Sequence, residues 1–100
     1  MIRIELVPTL SSCIETTAKR EYQKSVSDYL EIGEEDKDLE ERIELLRMFL
    51  ESTDFRELRS ESEKYLIEGR DVRFMLYLEE GKPKYEMKID IVSRESYSGG

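Results

Sequence analysis

Residues 72–92 read VRFMLYLEEGKPKYEMKIDIV and predict the main part of a β-sheet. Apolar residues stand at every second position on both sides of Glu80-Gly81-Lys82-Pro83, a pattern typical of two strands joined by a turn. Because successive side chains of a strand point to opposite faces, the alternation predicts a hairpin with one apolar and one polar face. The apolar face needs a cover from the rest of the chain.

A third strand is predicted at the N-terminus. Ile2, Ile4 and Leu6 alternate with other residues up to Pro8, which cannot donate a backbone hydrogen bond to a sheet and therefore ends the strand. We expect this strand to join the hairpin in a three-stranded, mainly antiparallel sheet.

The first helix is predicted to begin at a capping box formed by Ser12 and Glu15. Its apolar residues follow in steps of four, which we interpret as one continuous stripe: Ile14, Ala18, Tyr22, Val26 and Leu30. Thr16 and Thr17 favour a strand. An alternative therefore assigns residues 13–19 to a second strand paired with the first.

Two more helices are predicted between this helix and the hairpin. Asp38 is a candidate cap for one of them, and the segment 52–54 ends that helix and can cap the next. Gly33 and Gly69 are placed to end the first and third helices.

The predicted fold is α+β, with two or three helices covering one face of the sheet. The expected order of elements is β-α-α-α-β-β, or β-β-α-α-β-β under the alternative. We assign residues 1–93 to a single domain and residues 94–100 to a flexible C-terminal tail.

The composition limits the function classes. The chain has no histidine, so it lacks the Ser-His-Asp and Cys-His catalytic arrangements, and it has no glycine-rich phosphate loop. Acids at every second position from Glu34 to Glu40 resemble the start of a calcium loop, but Leu39 and Leu45 replace its required glycine and glutamate. We therefore expect no enzyme activity, no cofactor and no metal.

Cellular location is predicted from the same features. Cys13 is the only cysteine, so no internal disulfide is expected, and we predict a buried structural role for it. Arg3 and Glu5 interrupt the first residues, and no apolar run is long enough for a membrane span. We expect a cytoplasmic protein with no membrane contact. Eighteen glutamates beside one glutamine and no asparagine give a composition typical of thermophile proteins.

The charge is concentrated in one part of the chain. Residues 31–63 hold thirteen acids and five bases, and the remainder holds eleven of each, so the whole net charge of −8 lies in this stretch. It repels phosphate backbones, and we expect no direct nucleic-acid binding. A basic protein is the expected partner for its acids, of which four are candidate contact residues: Glu34, Glu35, Asp36 and Asp38.

The polar face of the predicted sheet has a second candidate surface. Met75 and Tyr77 stand together there and predict a small apolar patch for a partner or a second copy of the chain. The leading hypothesis is thus a small, acidic, non-catalytic protein-binding or regulatory domain that forms a homodimer.

The C-terminal residues Ser98-Gly99-Gly100 support a different hypothesis. A tail ending in two glycines resembles the tails of ubiquitin-like modifiers and of sulfur-carrier proteins. The resemblance implies a β-grasp fold, with a hairpin ahead of a helix, and a terminal carboxylate on Gly100 that is activated and joined to a lysine or to sulfur.

Overall fold

The computed structural model describes residues 2–32 and 36–90 of the chain. In chain order the elements are β1 (Arg3–Leu6), α1 (Ile14–Ile32), α2 (Lys37–Ser52), α3 (Phe55–Ile67), β2 (Val72–Glu79) and β3 (Lys82–Ile89). The fold is α+β with the order β-α-α-α-β-β, which confirms the first prediction. The alternative with a strand at residues 13–19 is wrong, because that segment enters α1. The predicted tail at residues 94–100 lies outside the described residues.

The sheet is antiparallel and has the order β1-β2-β3, so the central strand is β2. Glu80 and Gly81 form the two-residue turn of the hairpin with φ values of 54° and 76°. Two positive φ values suit the twist of a hairpin, and glycine adopts them at little cost. The predicted turn is thus too long by two residues, since Lys82 and Pro83 already belong to β3.

The helices cover one face of the sheet, and the apolar core lies between the two layers. Its fully buried members come from β1, β2 and all three helices: Ile4, Leu6, Ile14, Ala18, Leu45, Leu46, Phe49, Leu58, Val72, Phe74 and Leu76. Phe49 makes edge contacts with the rings of Phe55 at 5.4 Å and Tyr85 at 6.0 Å between centroids. Tyr85 on β3 remains 43% exposed, so the core is less completely covered at β3.

Local hydrogen bonds explain where the helices begin. Thr17 lies in α1 despite its branched Cβ, and its hydroxyl donates to the carbonyl of Cys13 at 2.9 Å. Asp36, and not the predicted Asp38, caps α2 by accepting from the Leu39 amide at 3.1 Å. Asp54 caps α3 in the same way, as the sequence predicts.

The predicted apolar stripe of α1 is wrong at its C-terminal end. Ile14 and Ala18 are fully buried, but Leu30 is 78% exposed. An α-helix turns 100° per residue, so a row of residues in steps of four drifts by about 40° per step and by roughly 160° over four steps. Leu30 therefore lies nearly opposite Ile14, and the buried face of α1 continues to Ser25 instead.

Candidate functional site

An apolar groove lies between the C-terminal half of α1 and the N-terminal half of α2. We call it the α1–α2 groove and define it by its lining residues: Val26, Tyr29, Glu40, Ile43 and Glu44. Its volume is about 400 Å³. The floor is made by half-buried apolar side chains from both helices, which an amphipathic segment can contact.

An exposed leucine extends this floor along α1. Leu30 lies one turn beyond Val26 on the same side of the helix and is 78% exposed. Large apolar side chains with this exposure, placed beside an apolar groove, are typical of interaction surfaces. The drift of the apolar row along α1 is what carries Leu30 out of the core.

Carboxylates form the rim of the groove. Glu40 accepts a hydrogen bond from the Tyr29 hydroxyl at 2.9 Å, and Glu44 pairs with Arg47, which also contacts Glu51 at 2.9 Å. The α2 rim therefore carries mostly negative charge.

The four acids that the sequence singles out have different surroundings. Asp36 is engaged at the start of α2 through the Leu39 amide. Asp38 is exposed and lines a shallow surface pocket with Glu41, Ile2 and Arg3. The predicted contact residues Glu34 and Glu35 lie outside the described residues. Of the four predicted contact residues, Asp38 is the described one that is exposed to solvent.

A polar bridge fixes the two helices beside the groove. Arg42 of α2 donates to Glu21 at 2.6 Å and to the hydroxyl of Ser25 at 3.1 Å, both on α1. The Ser25 side chain is buried, and the two charged side chains are each about 30% exposed or less. Sequence reasoning missed this bridge because its residues are far apart in the chain. The sequence carries no signal for the bridge, because periodicity alone assigns a serine such as Ser25 to the surface.

The open face of the sheet places Met75 and Tyr77 together, as the sequence predicts. The Arg3 guanidinium lies over the Tyr77 ring, 5.7 Å from its centroid, and the strand register puts Glu5 and Glu86 on either side of Met75. Both residues are only half-exposed. Charged side chains thus lie beside both Met75 and Tyr77, so the apolar patch that these two residues form is narrower than the α1–α2 groove.

Cys13 is half-buried rather than buried as predicted, and it is the residue that precedes α1. Its sulfur lies 3.4 Å from the Thr16 hydroxyl. Hydrogen bonds from the hydroxyl and the amide of Thr16 lower the pKa of the thiol. Partial exposure and a lowered pKa make this thiol more reactive than a buried one.

The remaining sequence predictions concern a metal site, a membrane span and the C-terminal glycines. Within residues 2–32 and 36–90, no group of acidic and thiol side chains is arranged to hold a metal ion. No helix of the described part of the chain combines the length and the apolar character needed to cross a membrane. The proposed carrier residues Gly99 and Gly100 lie beyond the described residues.

Comparisons with known proteins place the chain in a family. No solved structure matches it. An uncharacterized protein from Archaeoglobus fulgidus is 45% identical over 49 residues, which cover 47% of this chain and 58% of that relative. The chain therefore matches less than two thirds of the length of this curated relative. A family model matches residues 1–92, and the chain belongs to that family, which is uncharacterized.

Proposed function

We propose that this protein is a non-catalytic protein-binding domain, and that its α1–α2 groove receives a basic, amphipathic segment of a partner protein. The observation that carries the proposal is the exposed Leu30 next to an apolar floor whose rim is acidic. A helix with apolar residues on one side and lysines or arginines on the other satisfies both features.

Electrostatics favour a basic partner. The chain has a net charge of −8, and α2 carries five acids and three bases. Arg42, one of these bases, is directed toward Glu21 and Ser25 on α1, so its charge offsets an acid within the domain rather than one on the rim. Complementary charge speeds association and selects among partners, while burial of apolar side chains supplies most of the affinity.

The first experiment uses two synthetic helical peptides as probes. One peptide has leucines on one face and lysines on the other, and the second has glutamates in place of the lysines. We expect the lysine peptide to bind, measured by fluorescence anisotropy, and its affinity to fall as salt rises because salt screens exposed charges. Equal affinity for both peptides contradicts the proposal.

Substitutions then locate the binding surface. The pair Glu40→Gln and Glu44→Gln removes two negative charges from the lining of the groove and should weaken binding of the lysine peptide about fivefold. The pair Glu57→Gln and Glu61→Gln removes the same charge from exposed positions on α3 and serves as the matched control. An equal loss in both variants means that bulk charge, and not the groove, binds the peptide.

An apolar substitution separates the groove from its rim. Leu30→Ser shortens an exposed side chain without opening the core, so the fold should be retained. Removing this contact should weaken peptide binding about tenfold or more, since burial of a leucine contributes about 1.5–3 kcal/mol. Unchanged affinity in this variant excludes Leu30 from the binding surface.

The Gly99-Gly100 carrier is the second candidate, supported by the sequence of the tail. In residues 2–32 one strand precedes α1, whereas the β-grasp fold of the carriers has a hairpin there. Deleting Gly99 and Gly100 discriminates the two hypotheses. A carrier loses every covalent adduct detected by mass spectrometry of the intact protein, whereas a binding domain retains its affinity for the lysine peptide.

A further inference from the structure

The strand β3 has one edge that β2 does not occupy, because β3 is an outer strand of the sheet. It is eight residues long, twice the length of the other outer strand, β1. An outer strand of this length offers backbone hydrogen-bonding groups to another strand.

The hydrogen bonds of the hairpin show which backbone groups point outward. The amide of Asp90 donates to the carbonyl of Asp71 at 2.9 Å, so Asp71 and Asp90 form a hydrogen-bonded pair. Such pairs alternate along an antiparallel ladder, so the even-numbered residues of β3 bond to β2. Tyr85, Met87 and Ile89 therefore direct their amides and carbonyls to the free edge.

Pro83 belongs to the same outward-pointing set. It lacks an amide hydrogen, and at this position it costs the β2–β3 ladder no hydrogen bond. It also prevents an added strand from pairing fully at the turn end of β3. A strand that joins this edge thus makes its best contacts from Tyr85 to Ile89.

Charges alternate along the open face of β3 and its extension: Lys84 is positive, Glu86 negative, Lys88 positive and Asp90 negative. Within the described residues, Lys84, Glu86, Lys88 and Asp90 form no side-chain ion pair. A sequence of alternating charges is complementary to its own reverse, and antiparallel copies of one strand run in reverse to each other. The charges of this row on one copy of the chain can therefore pair with opposite charges of the same row on a second copy.

Of three neighbouring registers, one places an opposite charge across from every charge of the row. With the two-fold axis at Met87, each Glu86 faces Lys88 of the second copy, and each Lys84 faces Asp90 of the second copy. An axis at Glu86 places like charges opposite each other. An axis at Tyr85 sets Lys82 against Lys88 and leaves Met87 opposite Pro83, which cannot donate. Like charges directly opposite are destabilising, so the Met87 register is favoured.

The helix-covered side of the edge supports the same register. Tyr85 is 43% exposed although its ring contacts Phe74 at 5.8 Å between centroids, and Met87 and Ile89 are half-buried. With the axis at Met87, Tyr85 faces Ile89 of the second copy, and the two Met87 side chains face each other. Pairing thus buries the apolar residues that the helices leave partly open.

We propose that the protein forms a two-fold symmetric homodimer in which the β3 edges pair antiparallel around Met87 and make one continuous six-stranded sheet. The partner for this surface is a second copy of the chain. The surface shares no residue with the α1–α2 groove. A failed test of the dimer therefore leaves the peptide-binding proposal intact, and the reverse also holds.

Charge reversal tests the register. In Glu86→Lys and in Lys88→Glu, each dimer has two pairs of like charge where the natural chain has two opposite pairs, and dimerization should weaken about tenfold or more. Mixing the two variants restores opposite charges at both pairs, so the mixture should form a heterodimer with affinity near that of the natural chain. Sedimentation over micromolar to millimolar concentrations measures dimerization of each variant and of their mixture.

The matched control is Glu79→Lys, which makes the same charge change on the open face of β2, away from the pairing. This variant should dimerize like the natural chain. A natural chain that stays monomeric at millimolar concentration overturns the proposal. A mixture of the two variants whose dimer affinity does not recover also overturns it. An equal loss of dimer affinity in Glu79→Lys does the same.

A cross-link supplies a readout that does not depend on affinity. In a Cys13→Ser background, Met87→Cys places two thiols opposite each other, and Cα atoms of a hydrogen-bonded pair lie about 5.5 Å apart, within disulfide range. Oxidation should give a covalent dimer with Met87→Cys, and Tyr85→Cys should remain monomeric because it faces residue 89. The reverse result assigns the axis to Tyr85 and contradicts the Met87 register.

Discussion

The two halves of α1 differ in what they contact, although both carry aliphatic side chains at helical spacing. Ile14 and Ala18 in the first half are fully buried against the sheet and the other helices, whereas Leu30 and Ile32 in the second half are 78% and 65% exposed. The second half meets α2 beside the groove, where the Tyr29 hydroxyl donates a hydrogen bond to Glu40. The difference indicates that the first half stabilises the fold and the second half is available to a partner.

Two truncations, Ile14→Ala and Leu30→Ala, test whether the two halves of α1 differ in their contribution to stability. Ile14→Ala removes buried methyl groups and leaves a cavity, so it should lower the free energy of unfolding by about 2–5 kcal/mol. Leu30→Ala removes an exposed side chain and should change it by less than about 0.5 kcal/mol. Urea denaturation followed by circular dichroism measures both. Similar losses in the two variants contradict the division of α1 into two parts.

The sheet could be predicted from the sequence because the strand pattern has a period of two residues and does not drift. Every inward residue from Val72 to Leu76 is buried as the alternation requires. In α1 the steps of four do not match the helical period, so the row from Ile14 to Leu30 rotates away from the core. A steady apolar row is thus a weaker indicator of burial in a long helix than in a strand.

The groove could not be predicted for a different reason. Its floor joins Val26 and Tyr29 to Ile43, and the fold, not the local sequence, brings these positions together. Small buried serines were also missed. Ser25 and Ser62 are both buried, the first as an acceptor for Arg42 and the second as a donor to the carbonyl of Arg59. Polar residues of this kind carry no apolar signal, so periodicity alone assigns them to the surface.

A smaller effect is expected at the junction between the two halves of α1, where Arg42 bridges Glu21 and Ser25. Arg42→Met should lower the free energy of unfolding by about 1–2 kcal/mol because both acceptors lose their donor. A double-mutant cycle with Glu21→Gln should give a coupling energy near 1 kcal/mol.

The exposed pair of Arg59 and Glu63, also within hydrogen-bond distance at 3.1 Å, is the control for this cycle. Solvent screens it more strongly, so its coupling energy should stay below about 0.5 kcal/mol. If the two pairs have equal coupling energies, partial burial at the α1–α2 contact does not strengthen the interaction between Arg42 and Glu21.

The smallest expected effect concerns the residue that precedes the buried half of α1. Hydrogen bonds from Thr16 lower the pKa of the Cys13 thiol, so its alkylation rate should reach half-maximum below the ordinary value of about 8.5. Thr16→Val removes the hydroxyl and should raise that midpoint, whereas Thr16→Ser keeps the hydroxyl and should leave it nearly unchanged. A lowered pKa in the folded state stabilises the fold above the unfolded pKa, and this contribution is lost as the pH falls through the folded value. The stability gap between the two variants should therefore widen as the pH rises toward about 8.5 and stay level above that value. A gap that is constant with pH assigns Thr16 to helix propensity alone.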